Sequence, residues 1–447
     1  MRRLIVFLIA LAGFGTAAAD SVAFFNVNVV PMNSEQVLEA RTVVVEDGVI
    51  TAIGAVDSQP VPDDAVVVDG TDRYLMPGLA EMHAHVPDAA RTSNLDRTLT
   101  LFAANGVTLV RGMLGQSSHL ELRQELLDNE MFGPRLITSG PSMNGNSVQG
   151  PEDGARKVRA QHAAGYDFVK IHPGLSAEEY RAIATTAQEL GMPFAGHVPA
   201  SITLQIALDA GMATIDHLDG YIAALMPADS DESGGYGGFF GVLLADQLVE
   251  ERIADVAART AASGTWNVAT EALFEHRVSE AGVVEMSNWP DMQYMPESTV
   301  QRWIESKERQ LAERGFDAEM GKRAIEIRRK LILALHEAGA GLLLGSDAPQ
   351  VFNVPGFSLH RELAFMVEAG LTPFEAIATG TTAVAEFFGS NGGSIEVGRD
   401  ADLVLLDANP LQDIRNTRRV HGVMLRGTWY SRAALNERLE ALRSLAR

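Results

Sequence analysis

The sequence predicts an α/β protein: a (β/α)8 TIM barrel carrying a small β-sandwich domain built from both chain ends. Three observations lead there. From Met76 onward, short apolar runs alternate with helix-like stretches eight times, the rhythm of parallel strands buried on both faces. The segments before and after that region read as strands alone. Histidines gather at the ends of the apolar runs, five of the eleven in the chain, which is where barrel enzymes place their chemistry.

Taken in order, residues 1–19 have the form of a secretory signal peptide. Arg2 and Arg3 precede an apolar Leu4–Phe14 run, and Ala17-Ala18-Ala19 offers a small-residue cleavage site. That run is too short for a spanning helix, so export without a membrane anchor, to the periplasm, is expected. Residues 20–75 form the first part of the β-domain. Within it, Thr42–Gly54 reads as two strands around Asp47-Gly48, a strong hairpin signal.

The barrel is expected over residues 76–390. After the opening strand, its runs are 107–113, 135–140, 168–173, 193–198, 214–218, 265–270 and 342–348. Helical stretches such as Ser117–Leu127, Gly154–Ala164, Ala177–Leu190 and Ile202–Ala210 lie between them. No glycine-rich dinucleotide fingerprint follows an early strand, which speaks against a doubly wound open sheet. Two insertions, 219–248 and 274–328, leave the ends of strands six and seven and read as lid or specificity elements. Residues 391–447 return to strands, completing the β-domain, and end in a tail helix over 433–446.

A net charge of −22 excludes nucleic acid and anionic membranes as natural partners. With no cysteine in the chain, an exported form has no disulfides, and any metal site is made from His, Asp, Glu or a modified side chain.

His83 and His85, two apart on the opening strand, face the same way. Lys170, His172, His197, His217 and Asp347 stand at the ends of later strands, hence on the same barrel face. Neutral imidazole is the commonest protein ligand for zinc and its neighbours. His119, His162, His276, His336, His360 and His421 lie in helical or β-domain segments and read as structural. Arg111, ending strand two, is a candidate for a substrate carboxylate, with a buried salt bridge as its alternative. Asn144, in a polar loop, is a candidate substrate contact, as is His172.

These motifs resemble the amidohydrolase superfamily, in particular its imidazolonepropionase-like and Xaa-Pro dipeptidase-like branch. The resemblance rests on Pro77-Gly78-Leu79 with Glu81 and His83-Ala84-His85, then Gly106–Arg111, Gly165–Ile171, Ala195-Gly196-His197 and Ile215-Asp216-His217. It continues in Gly345-Ser346-Asp347 and Gly398–Val404. It departs from the pattern at Gly112, where many relatives carry Asp, and at Val198-Pro199 after His197. The resemblance implies that His83, His85 and Asp347 hold one divalent ion and that His197 and His217 hold a second. Lys170 would bridge both as a CO2-derived carbamate, because a bare ammonium beside two cations is repelled while a carbamate is an anionic oxygen ligand. Zinc comes first among zinc, manganese and cobalt for such ligands.

The same resemblance implies that a metal-bridging hydroxide attacks the scissile carbonyl, with Asp347 as proton shuttle. The expected function is therefore hydrolysis of an amide bond in a small molecule, foremost a dipeptide or N-acyl amino acid. A one-metal, imidazolonepropionase-like opening of a cyclic amide is the alternative, which would not need Lys170. Lactone, carbamate or phosphotriester hydrolysis would use the same centre. A non-enzymatic metal- or solute-binding protein would be expected to lack Asp347. Homo-oligomerisation is left open.

Overall fold

The computed structural model describes residues 21–227, 230 and 237–446. The expected signal peptide lies outside the described residues, as do 228–229 and 231–236 of the first insertion. Among the described residues no helix is long and apolar enough to cross a membrane.

The N-terminal strands are β1 (Ser21–Val29), β2 (Leu38–Glu46), β3 (Val49–Ala55), β4 (Val66–Asp69) and β5 (Tyr74–Pro77). The hairpin expected at Asp47-Gly48 joins β2 to β3, and both turn residues have positive φ, 49° and 76°. The barrel region supplies β6 (Leu79–Ala84), β7 (Val107–Gly112), β8 (Arg135–Thr138), β9 (Val169–Ile171), β10 (Phe194–Gly196), β11 (Thr214–Asp216) and β12 (Trp266–Val268). After it come β13 (Leu403–Leu406), β14 (Val420–Leu425) and β15 (Thr428–Ser431).

Strands from the two chain ends meet in one mixed eight-stranded sheet, in which β5 pairs with β1 on one side and β13 on the other. Hydrogen bonding thus runs continuously where a sandwich is expected to have two stacked sheets. The reason lies in β1, which bends at Asn26 (φ 54°) and pairs with β4 before the bend and β5 after it. One sheet thereby curls around its own core, where Phe24 meets Trp429 edge to face at 5.2 Å and Val43, Leu75, Leu403 and Met424 are buried.

In the barrel region the strands form two parallel runs, β6-β7-β8 and β9-β10-β11-β12. Single parallel bridges, Ser139 to Phe168 and Met143 to Ile171, span the seam between β8 and β9. The expected eighth strand, 342–348, forms no ladder. Its backbone nonetheless bonds both neighbours: Leu343 N donates to Asn267 O at 2.8 Å, and Leu344 O accepts from Met82 N at 2.8 Å. Two features interrupt a ladder there. The Ser346 N–H is taken by the Glu81 carboxylate at 2.8 Å, and Asp347 has a left-handed backbone, φ 59°.

The helices fall close to the expected stretches, at His119–Leu127, Pro151–Ala164, Ala177–Glu189 and Leu204–Asp209. Ala177–Glu189 is started by a capping box of Ser176 and Glu179. The second insertion adds the helices Glu297–Leu311 and Ala318–Glu337, and Arg432–Leu445 is the tail helix. This arrangement brings the C-terminal ends of β6, β9, β10 and β11 and the 342–348 segment to one face.

Candidate metal centre

β6 is buried throughout, and its alternation turns Glu81, His83 and His85 the same way. Glu81 clamps the neighbouring segment: Oε1 accepts from the N–H groups of His83 (3.0 Å) and Ser346 (2.8 Å), and Oε2 accepts from Ser346 Oγ (2.5 Å). Burial pushes its carboxyl up to about 7 despite these bonds. Asp347 follows that clamp. Its Oδ1 lies 3.1 Å from His85 Nε2 and 3.8 Å from His83 Nε2, and its Oδ2 lies 3.8 Å from His217 Nδ1.

The other ligand candidates converge on the same point. The His217 ring centroid is 4.5 Å from those of both His83 and His197, and His172 stacks on His197 at 5.0 Å. His197 Nδ1 is 2.6 Å from Asp219 Oδ2. His217 Nδ1 is 2.8 Å from Thr270 Oγ1, and its carbonyl accepts from Arg328 Nη1 at 2.9 Å. Lys170 is fully buried, with Nζ 3.6 Å from Asp216 Oδ2. One ligand atom each from His83, His217 and Asp347 lies within 4.8 Å of the others. The structure thus draws together His83, His85, Lys170, His172, His197, His217 and Asp347.

Electrostatics favour the ligand forms. Burial holds the His83 and His217 imidazoles well below the usual range, reinforced by neighbouring cations. His85 is pushed down to about 3 and His172 to about 2, again by burial first and then by Lys170. Neutral imidazole is the metal-binding state. Burial also lowers Lys170, opposed by Asp216 and Asp347, and raises Asp347, opposed by Lys170. Lys170 Nζ is buried with no hydrogen-bond partner, and the close pairs His83 Nδ1–Asp216 Oδ2 (3.0 Å) and His85 Nε2–Asp347 Oδ1 (3.1 Å) are too poorly aligned to bond fully. Buried polar atoms are rarely left so, and a nitrogen–oxygen donor set with two carboxylates fits a divalent ion.

Two expected substrate contacts are corrected. Arg111 is 1% exposed and points into the barrel beneath the centre, where its Nε donates to Met82 O (2.7 Å) and Nη2 to Thr214 Oγ1 (3.1 Å) and Asp216 Oδ1 (3.3 Å). Nε and Nη2 are thereby engaged inside the barrel. Asn144 is spent on its own loop: Oδ1 accepts from the N–H groups of Asn146 and Ser147, both at 2.9 Å.

Three residues without an assigned role in the sequence also belong here. Asp216 bridges Arg111, Lys170 and His83, and Glu81 holds the strand pair. Phe240, in the first insertion, stacks on His217 at 4.8 Å and 11° with left-handed φ 47°. Glu81 was accessible through the 81/83/85 alternation. Asp216 was not, because alternation sends neighbours to opposite faces, and only the left-handed His217 (φ 64°) lets both side chains approach the centre.

Several known proteins are similar to this chain. Enamidase from Eubacterium barkeri is 44% identical over 50 residues, 11% of this chain and 13% of that protein. Ochratoxinase from Aspergillus niger is 36% identical over 83 residues, 18% of this chain and 16% of that protein. The chain therefore spans well under two thirds of either relative. Among solved structures, a bottromycin amidohydrolase superimposes with a TM-score of 0.72 at 22% identity, covering 96% of this chain and 93% of that one. A Xaa-Pro dipeptidase with bound methionine gives 0.66 at 21% identity, covering 92% and 100%. The sequence pattern of the amidohydrolase family, whose members are typically metal-dependent, matches residues 74–430. The chain belongs to the amidohydrolase family.

Proposed function

We propose that this chain is an exported two-metal hydrolase that cleaves the amide bond of a dipeptide or N-acyl amino acid. The observation that carries the reading is the convergence of His83, His85, Lys170, His197, His217 and Asp347 on one buried point, where Lys170 Nζ has no hydrogen-bond partner. His83, His85 and Asp347 would hold one ion and His197 and His217 the other, with zinc the first choice. Lys170 would bridge them as its carbamate. Burial favours its neutral amine, which is the form that takes up CO2. Export rests on the Arg2-Arg3, Leu4–Phe14 and Ala17–Ala19 pattern.

When bound, the ions would acidify a water and polarise the scissile carbonyl. The protein's own residues do the rest. Asp347, buried among Glu81 and Asp216, has a carboxylate made more basic by that burial and repulsion. It accepts the proton of the attacking water and passes it to the departing nitrogen, which would otherwise leave as an unstable amide anion. Phe240 covers His217 and keeps bulk water from that side. The compact His83–His217–Asp347 group supports a second reading, a single-ion cyclic amidase, and Lys170 separates the two.

Metal analysis of the purified protein, combined with a library of dipeptides and N-acyl amino acids, tests this. Two ions per chain are expected, and Lys170→Ala should lose one ion together with activity. A single bound ion with full activity in Lys170→Ala would refute the two-metal reading.

A further inference from the structure

A cavity of about 430 Å³ lies beside the candidate metal centre, with His85 and Pro349 in its lining. Its walls come from two distant parts of the chain, the helix Thr92–Ala104 and the insertion helix Glu297–Leu311. Each contributes positive charge: Arg91 and Arg97 from the first, Arg302 from the second. Among the described residues none of the three forms an ion pair. Arg97 Nη1 donates to Asn94 Oδ1 at 2.9 Å and Arg302 Nη2 to Thr299 Oγ1 at 2.9 Å, both neutral acceptors. The one carboxylate in the lining, Asp88, accepts from Ser118 Oγ (2.9 Å) and the Ala90 N–H (3.0 Å) through Oδ1 and offsets part of the Arg91 charge.

Arg97 is the informative residue. It is 5% exposed, and its Nε is buried with no hydrogen-bond partner. Sinking a guanidinium this far with only the exposed carboxylate of Asp96 nearby is costly, and a bound anion would lower that cost. The helix behind it adds to the field. It begins at Arg91 with no side-chain cap and no acidic residue in its first turn, so its positive end faces the same space. Trp303, Met295 and Leu114 complete the lining with apolar surface, suited to the stem that carries the charge.

We infer that this cavity is a subsite for a carboxylate on the substrate, held by Arg97 with Arg91 and Arg302, and that the hydrolase selects amides that carry a carboxylate. The inference rests on the amide-hydrolase reading above and assigns the carboxylate recognition that Arg111, committed to Asp216, does not supply. Planar guanidinium groups match a carboxylate through paired hydrogen bonds.

Two compounds differing only in the carboxylate, N-acetylphenylalanine and N-acetylphenethylamine, test it on the metal-loaded enzyme. The wild type should prefer the acid, and Arg97→Gln should cut that kcat/KM ratio by about tenfold or more, through KM, with Arg97→Lys keeping part of it. Arg302→Gln, at an exposed position, should lower the ratio in the same direction and serves if Arg97→Gln does not fold. Equal rates on both compounds in the wild type, or a ratio unmoved in both Gln variants, would overturn the inference. If neither compound nor any member of the dipeptide and N-acyl amino acid library is hydrolysed, the amide reading is what fails. The subsite is then judged by calorimetry with 3-phenylpropionate against 3-phenylpropanol: tighter binding of the acid that weakens in Arg97→Gln supports it, and equal binding refutes it.

Discussion

Asp216 Oδ2 lies 3.0 Å from Nδ1 of His83, while the opposite nitrogen of that ring, Nε2, faces Asp347 Oδ1 at 3.8 Å. A carboxylate behind an imidazole orients the ring and raises its basicity toward whatever the other nitrogen meets. Asp216→Asn keeps the shape and removes the charge, so divalent-ion affinity should fall about 10- to 100-fold with the fold retained. Competition against graded chelators, read by metal content, checks this. Wild-type affinity in the variant would show that Asp216 serves only Arg111.

Arg328 is fully buried and is shared between Glu271 Oε2 (2.7 Å), His217 O (2.9 Å) and Ala269 O (2.9 Å). Arg328→Met leaves the Glu271 charge buried alone and should cost about 3–5 kcal/mol in denaturant unfolding. Adding Glu271→Gln should restore a good part of the loss. A double variant no more stable than the single one would contradict this account.

Phe240 has φ 47° and ψ 36°, a region that penalises a side chain. Its ring earns that strain by covering His217. Phe240→Ala should lower kcat roughly tenfold at unchanged metal content as water gains access. Phe240→Gly should be more stable than Phe240→Ala by about 1 kcal/mol, because glycine takes the left-handed backbone freely. Equal unfolding midpoints for the two variants would show that the strain is absent.

His360 is buried away from the metal centre, between Thr417 Oγ1 (3.0 Å) and Asn105 O (3.1 Å), and burial pushes it down to about 3. The unfolded chain takes up a proton on this residue near pH 6.5, whereas the folded one resists until about pH 3. Unfolding therefore gains protons over that window, and stability falls as pH falls through it. Between pH 7 and 5 the residue should account for about 2 kcal/mol. His360→Gln, less stable at pH 7, should lose that much less on acidification; parallel pH profiles in urea unfolding would refute the assignment.

Much of the clustering was legible because the candidate ligands obey two simple regularities. Same-face spacing marks His83 and His85, and the strand ends mark Lys170, His197, His217 and Asp347. Legibility fails where the backbone leaves the strand conformation. The apolar 342–348 run reads as a strand, yet Glu81 takes its Ser346 N–H. Arg111 stands at a strand end like the ligands, but its length carries the guanidinium back under the barrel to Asp216, a contact over 105 positions that no local pattern announces. The cavity beside His85 was hidden for a similar reason. Its walls, Arg97 and Arg302, are remote in sequence and meet only when the second insertion folds back over the first barrel helix.

The sheet shared by the two chain ends also governs the order of events when the protein is made. β5 needs β13 on its free edge, through the register from Pro77 opposite Leu403 to Tyr74 opposite Leu406. The first strands to leave the ribosome therefore wait, edge exposed, until almost the whole polypeptide has been synthesised. A chain that stops after the last barrel helix would carry every candidate metal ligand and still present a bare strand edge to its neighbours. Truncation near the C-terminus is thus expected to produce aggregation before it produces an inactive enzyme, and Leu403–Leu406 acts as the clasp that closes the molecule.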